Sequence, residues 1–144
     1  MSTATTPVLE KAIVLSASPA RVWKALTDPA EIKIYLFGTL GISDWKKGSP
    51  LRFVGEWEGK SYEDKGTILQ FDEGRCFQYS YWSSFSGLPD APENYSIVTN
   101  TLKPQGADTL LEVRQENFAG TTQYEHSDHN WNGVLAAIKK LVEG

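Results

Sequence analysis

Two histidines, His126 and His129, stand three residues apart, with Glu125 and Asp128 beside them. On a helix surface, positions i and i+3 are neighbours, so two imidazoles so spaced can share a metal ion, or one can act as a base. A metal site needs further converging ligands, and no third ligand is evident in the sequence. A solvated polar first turn of the last helix is the favoured reading, and neither a metal nor another cofactor is expected. Cys76 follows Arg75 in a strand-like run and has no sequence-adjacent His. A lone thiol in that setting packs as a small apolar side chain more often than it reacts. Glu56, Glu58, Glu63 and Asp64 cluster near one hairpin and Asp72-Glu73 near another, where acidic residues serve ordinary turn geometry. No catalytic residue is assigned.

Aromatic residues offer more. Phe77, Tyr79 and Tyr81 alternate along residues 75–83, which places three rings on one face of a strand. Phe53 and Trp57 share a face of an earlier strand. A buried tyrosine needs a partner for its hydroxyl, so rings that carry hydroxyls suit the wall of a partly wet pocket. Plain core packing or a solvent-facing aromatic patch is the competing reading. Asn100 and Gln115 add amides that can orient a ligand.

The elements that must position these groups follow from pattern. Residues 8–16 read as a strand, and Ser18-Pro19 opens a helix carrying Val22, Trp23 and Leu26. Asp28-Pro29 ends that helix and starts a second over about 29–36, with Ile32, Tyr35 and Leu36 apolar. Strands are expected at 50–57, 61–71, 75–83, 94–103 and 108–118, with turns at Glu58-Gly59, Asp72-Glu73-Gly74 and Pro104-Gln105-Gly106-Ala107. Residues 38–49 and 84–93 read as loops, and Gly38, Gly41 and Gly87 suggest mobile gates. In the helix predicted over 122–143, Trp131, Leu135, Ile138 and Val142 form a stripe. Hairpins dominate, so the fold class is α+β: a curved antiparallel sheet of about six strands around a long C-terminal helix, with two short helices after the first strand.

Bulk properties agree with one domain over residues 1–144, residues 1–7 being a flexible N-terminus. Fourteen basic against eighteen acidic residues give a net charge of −4, and no basic stripe appears, which argues against nucleic acid as a partner. One cysteine excludes an intramolecular disulfide. No apolar run has the length of a membrane span and no secretory leader is read, so no membrane association and a cytoplasmic location are expected. There is no glycine-rich phosphate loop and no nucleophile elbow.

Three motifs carry a resemblance. The run Ala17-Ser18-Pro19-Ala20-Arg21-Val22-Trp23-Lys24-Ala25-Leu26-Thr27-Asp28-Pro29, then Gly66-Thr67-Ile68-Leu69, then Trp131-Asn132-Gly133-Val134-Leu135 with Ile138-Lys139-Lys140-Leu141 resemble the activator-of-Hsp90-ATPase (AHSA1-like) branch of the START/Bet v 1-like (SRPBCC) superfamily. Asn130 and Tyr35 depart from its pattern, standing where Gly and Trp are usual. The resemblance implies a helix-grip fold with a hydrophobic cavity between sheet and helix, in a superfamily whose members bind lipids, hormones and polyketides and include some cyclases and dehydratases. The eukaryotic Hsp90 activators carry a further N-terminal domain that contacts the chaperone, and none is read here, so no co-chaperone role is carried over.

The expected function is binding of a small apolar or aromatic molecule, lipid or polyketide-like, by a monomer or weak homodimer. The expected lining is Tyr35, Phe53, Trp57, Phe77, Tyr79, Tyr81, Asn100, Gln115, Trp131 and Leu135. Two alternatives stand beside it: an enzyme of cyclase or hydrolase type on the same scaffold, and a protein-interaction or stress-response, co-chaperone-like module using Trp45, Trp57 and Trp82 as exposed anchors.

Overall fold

The structure is a computed structural model, and it describes residues 8–36, 38–83, 87–118 and 120–144, without the side chain of Trp57. The expectation of a flexible residue 1–7 segment lies outside the described residues.

Strand β1 (Leu9–Leu15) leads into helix α1 (Pro19–Thr27), helix α2 (Pro29–Tyr35) and strand β2 (Leu40–Ser43). Strands β3 (Pro50–Trp57), β4 (Lys60–Asp72), β5 (Cys76–Tyr81), β6 (Ser96–Gln105) and β7 (Asp108–Glu116) follow, and helix α3 (Thr121–Glu143) ends the chain. The seven strands form one antiparallel sheet in the order β1-β7-β6-β5-β4-β3-β2. With the long terminal helix this is the α+β helix-grip arrangement. No described helix is long and apolar enough to cross a membrane.

Caps set the helices. The Ser18 side chain accepts from the Arg21 backbone N–H at 3.2 Å, and Pro19 takes the first helical position. Asp28 serves two helices. Its backbone N–H closes α1 on the Lys24 carbonyl, and its Oδ1 accepts from Ala30 at 2.9 Å to open α2. Arg21 then ties the helices together. Its Nη1 pairs with Glu31 Oε1 at 2.6 Å, while Nη2 donates to the Leu141 carbonyl of α3 at 3.5 Å. Helix α3 buries Val134, Leu135 and Ile138, each worth roughly 1.5–3 kcal/mol when fully removed from water.

Two expectations need correction. The sheet has seven strands, because the supposed gate at 38–49 contains β2, paired with β3 from Leu40↔Val54 to Ser43↔Leu51. Both Leu40 and Ile42 are exposed on this edge strand while Gly41 is buried, so its pattern is inverted and carries no core-facing stripe. Strand β6 also runs through Pro104, leaving the two-residue turn Gly106-Ala107. Pro104 lies beyond the end of β5 and pairs only with β7, where its missing N–H interrupts no ladder on the other side.

The sheet bends on β4. The first half of β4 pairs with β3, from Lys60 to Thr67, and the second half pairs with β5. Between Ile68 and Gln70 the register slips by one, a β-bulge that strengthens local bending and twist. Just before it, Gly66 passes so close to β5 that an added Cβ would stand 1.6 Å from the Ser80 carbonyl oxygen. Gly133, on the exposed side of α3, meets nothing within 4 Å.

These two glycines generate a paired prediction. Gly66→Ala is expected to lose more than about 4 kcal/mol or fail to fold, because backbone must move to admit the methyl group. Gly133→Ala is expected to gain about 0.5–1 kcal/mol, the usual difference between Gly and Ala inside a helix. Urea unfolding followed by circular dichroism measures both, and a mild Gly66→Ala variant would remove the close crossing from the fold.

Candidate functional site

Between α3 and the concave face of the sheet lies a cavity of about 1070 Å³, partly open to solvent. This is at the upper end of the size range of small-molecule sites. Strand alternation sends Phe53 from β3, Phe77, Tyr79 and Tyr81 from β5, Val98 and Asn100 from β6, and Gln115 from β7 to its wall. Helix α2 adds Ile32 and Tyr35. Helix α3 adds Trp131, Val134 and Ile138. The rings touch one another. Phe53 lies 6.0 Å from Tyr79 and 6.2 Å from Tyr81, Phe77 lies 5.0 Å from Tyr79, and Trp45 lies 6.0 Å from Phe77, centroid to centroid. These spacings fall within the range of favourable aromatic pairs.

Polar residues gather in the wall toward the start of α3, while those on the strands are mostly hydrogen-bonded within the protein. Gln115 is 3% exposed; its Nε2 donates to Ser96 Oγ at 2.9 Å and its Oε1 accepts from Trp131 Nε1 at 2.9 Å. That chain links β6, β7 and α3. Asn100 Nδ2 donates to the Phe77 carbonyl at 3.4 Å. The Tyr81 hydroxyl donates to Asp64 Oδ2 at 2.7 Å, and Thr39 Oγ1 is hydrogen-bonded to the Tyr62 hydroxyl. Tyr35 and Tyr79 are different. Among the described residues neither hydroxyl has a hydrogen-bond partner, and no polar side-chain atom is sealed in without one, so both oxygens open onto the cavity. Burial pushes the phenols of Tyr35, Tyr79 and Tyr81 above the ordinary tyrosine value, and the charge of Asp64 pushes Tyr81 further.

Of the residues expected to line a pocket, Tyr35, Phe53, Phe77, Tyr79, Tyr81, Asn100, Gln115 and Trp131 border this cavity. Leu135 is buried in the core but does not border it; Val134 and Ile138 take the cavity side of α3. The Trp57 side chain lies outside the described residues. His126 and His129 are exposed and border the cavity near the start of α3. No group of three His, Cys, Asp or Glu suited to a metal occurs among the described residues.

Asp64 is the residue that sequence reasoning missed. Its place beside a hairpin reads as that of a turn acid, yet it sits in β4, 9% exposed, on the cavity wall. The available signal was parity: Asp64 is four residues from Ile68, hence on the same strand face, and it pairs opposite Phe53. Two proposed anchors are also corrected. Trp45 is half-buried against the core and borders the cavity. Trp82 is half-buried as well, with Nε1 donating to the Leu88 carbonyl at 3.3 Å and Lys65 Nζ 5.9 Å from its ring. The described part of the 84–93 loop is held rather than free: Asn94 Nδ2 donates to the Pro89 carbonyl at 2.9 Å, and Lys65 pairs with Asp90 at 2.5 Å.

Fold and cavity together define a helix-grip protein of the START/Bet v 1-like kind. Residues 16–143 match the family described as Activator of Hsp90 ATPase homolog 1-like protein, and the chain belongs to that family. A protein from Cytophaga hutchinsonii with a solution structure is 44% identical, covers 98% of this chain and 97% of its own, and superposes with a TM-score of 0.83. A Chromobacterium violaceum protein is 26% identical, with coverage of 95% and 97% and a TM-score of 0.78. The Aha1 dimer from Colwellia psychrerythraea shares the fold at 16% identity, with coverage of 95% and 96% and a TM-score of 0.75. A search of curated proteins gave no match.

The tie between α3 and the sheet is testable. Trp131→Phe keeps an aromatic ring but strands the buried Gln115 oxygen, so a loss of about 1–3 kcal/mol is expected in chemical denaturation. A change under about 0.5 kcal/mol, within the range of ordinary surface substitutions, would show that this bond does not hold the helix.

Alkaline pH supplies a second test. A phenol that holds its proton more tightly in the folded state stabilises the fold below the ordinary value of 10.0, and that stabilisation is lost as pH rises above it, since the unfolded chain ionises first. Absorbance at 295 nm is expected to show the buried phenols ionising only as circular dichroism reports unfolding. Ionisation of all six tyrosines near pH 10 with the fold intact would contradict the burial.

Proposed function

We propose that this chain binds a small apolar or aromatic molecule in the cavity between α3 and the sheet. One observation carries the reading: a space of about 1070 Å³ whose walls are mainly aliphatic and aromatic, in a domain of only 144 residues. A protein interior is normally filled to crystal-like density, and an apolar hollow forfeits the contacts its lining could have made. A ligand that occupies it restores those contacts and removes its own apolar surface from water, at roughly 25 cal/mol per Å². The Gln115–Trp131 bond and the paired rings hold the walls in place before binding, which keeps the ordering cost low.

A second reading rests on Asp64. A carboxylate 9% exposed, hydrogen-bonded to a tyrosine and bordering the cavity, is the kind of group an enzyme on this scaffold needs. Cyclase or hydrolase chemistry on a bound substrate is the form it takes.

A thermal-shift screen of lipids, aromatic metabolites and polyketide-like compounds tests the proposal. Compounds that bind the folded state raise the melting temperature, by an amount that grows with concentration over Kd. At least one apolar class is expected to do so, and mass spectrometry is expected to recover it unchanged. Recovery of a product of altered mass would move the assignment to an enzyme. No shift from any compound would overturn the binding reading.

A further inference from the structure

Resting on the binding reading above, we propose that the cavity selects neutral ligands bearing a carbonyl-type oxygen, which Tyr35 and Tyr79 receive as paired hydroxyl donors, and rejects carboxylates.

The first observation is the pair of hydroxyls. Tyr35 is 6% exposed and Tyr79 8% exposed, both border the cavity, and neither hydroxyl has a hydrogen-bond partner among the described residues. A hydroxyl that the protein leaves unpaired but aims into a cavity keeps its hydrogen-bonding capacity for whatever fills that space. Two bare hydroxyls on one cavity wall therefore point to a partner brought by the ligand. They come from different elements, α2 and β5, and both border the same cavity, with Tyr79 among the groups that raise the Tyr35 phenol. Burial raises both phenols, which keeps both protonated at neutral pH and available to donate.

The second observation is charge. Among the described residues that line the cavity there is no lysine or arginine, while Glu56 and Asp64 are present. A carboxylate moved into an apolar space needs a cationic partner or must give up its charge. No lysine or arginine in the wall offers one, the two lining histidines, His126 and His129, are exposed at the start of α3, and two acidic groups oppose it. Asp64 accepts from the Tyr81 hydroxyl, which holds its carboxylate against the wall. Phe53 and Phe77 beside Tyr79 supply flat surface for an unsaturated or aromatic body next to the oxygen. A neutral aryl ketone, enone or quinone fits this combination, and a free fatty acid does not.

Three matched probes test the inference by calorimetry: 2-acetylnaphthalene, 2-ethylnaphthalene and 2-naphthoate. They share one ring system and differ in carrying a ketone, no oxygen or a carboxylate. The ketone is expected to bind about tenfold more tightly than the hydrocarbon, the yield of roughly one to two hydrogen bonds, and the carboxylate most weakly. Tyr35→Phe and Tyr79→Phe are expected to bring ketone affinity down toward the hydrocarbon's without weakening binding of the hydrocarbon. Hydrocarbon binding thus reports an intact cavity in each variant. The unliganded variants are expected to be no less stable than the parent, because neither hydroxyl bonds to any described residue and each removal makes the wall more apolar. A marked drop in their melting temperature would mean that the hydroxyls serve the fold, and would overturn the inference. Equal affinity for ketone and hydrocarbon, or tightest binding of the carboxylate, would overturn it while leaving the cavity reading intact. Failure of all three probes together with a blank thermal-shift screen would overturn both.

Discussion

The architecture depends on one steric constraint, the passage of the β4 backbone against the Ser80 carbonyl at Gly66. No residue with a side chain fits there without displacing β5. Immediately afterwards the register slips between Ile68 and Gln70. A close crossing followed by a bulge turns what would be a gently twisted sheet into one that folds over, with β3 and β2 on one limb and β5, β6, β7 and β1 on the other. The concave face created by that fold is where α3 lies. Were the sheet flatter, the helix would pack directly on its inward side chains. The hollow is thus a product of backbone geometry first and of lining residues second.

Lining residues then decide what the hollow is. Three rings on β5 project inward because a strand alternates, and the neighbouring strands contribute Phe53, Val98 and Gln115 from matching registers. Most of the polar atoms that alternation carries inward are neutralised by each other: Gln115 by Ser96 and Trp131, Tyr81 by Asp64. A purely structural core would have used aliphatic residues at these places and needed no such network. The arrangement trades packing for a wall that is rigid, aromatic and selectively polar.

How much of this could be read from the sequence depends on whether a signal was local. The Ser18-Pro19 and Asp28-Pro29 caps, the alternation of Phe77-Gln78-Tyr79-Ser80-Tyr81 and the stripe on α3 are short-range patterns, and each lies where it was expected. Strand β2 was invisible because Leu40 and Ile42 point outward and Gly41 packs inward against Ile32, with 3.1 Å between its notional Cβ and that side chain. Its identity is fixed by β3, not by its own residues. Asp64 was misread for a related reason: an acidic residue near a hairpin resembles a turn residue until the register places it opposite Phe53. Leu135 and Val134 differ by one step of the helix, about 100° of rotation, and only the position of the sheet decides which of them meets the cavity.

The first strand has its own consequence. Strand β1 finds its neighbours at the far end of the chain: it pairs with β7, Lys11 reaches Asn132 on α3, and the Ser16 backbone N–H is received by Glu143. Bonds that span 121 and 127 residues form only when the two ends of the domain meet. Until β7 and α3 are in place, β1 has no sheet partner and its buried ends, Leu9 and Leu15, have nothing to pack against. Closure of the domain carries the entropy of joining these distant segments, which slows folding relative to a fold held by local contacts.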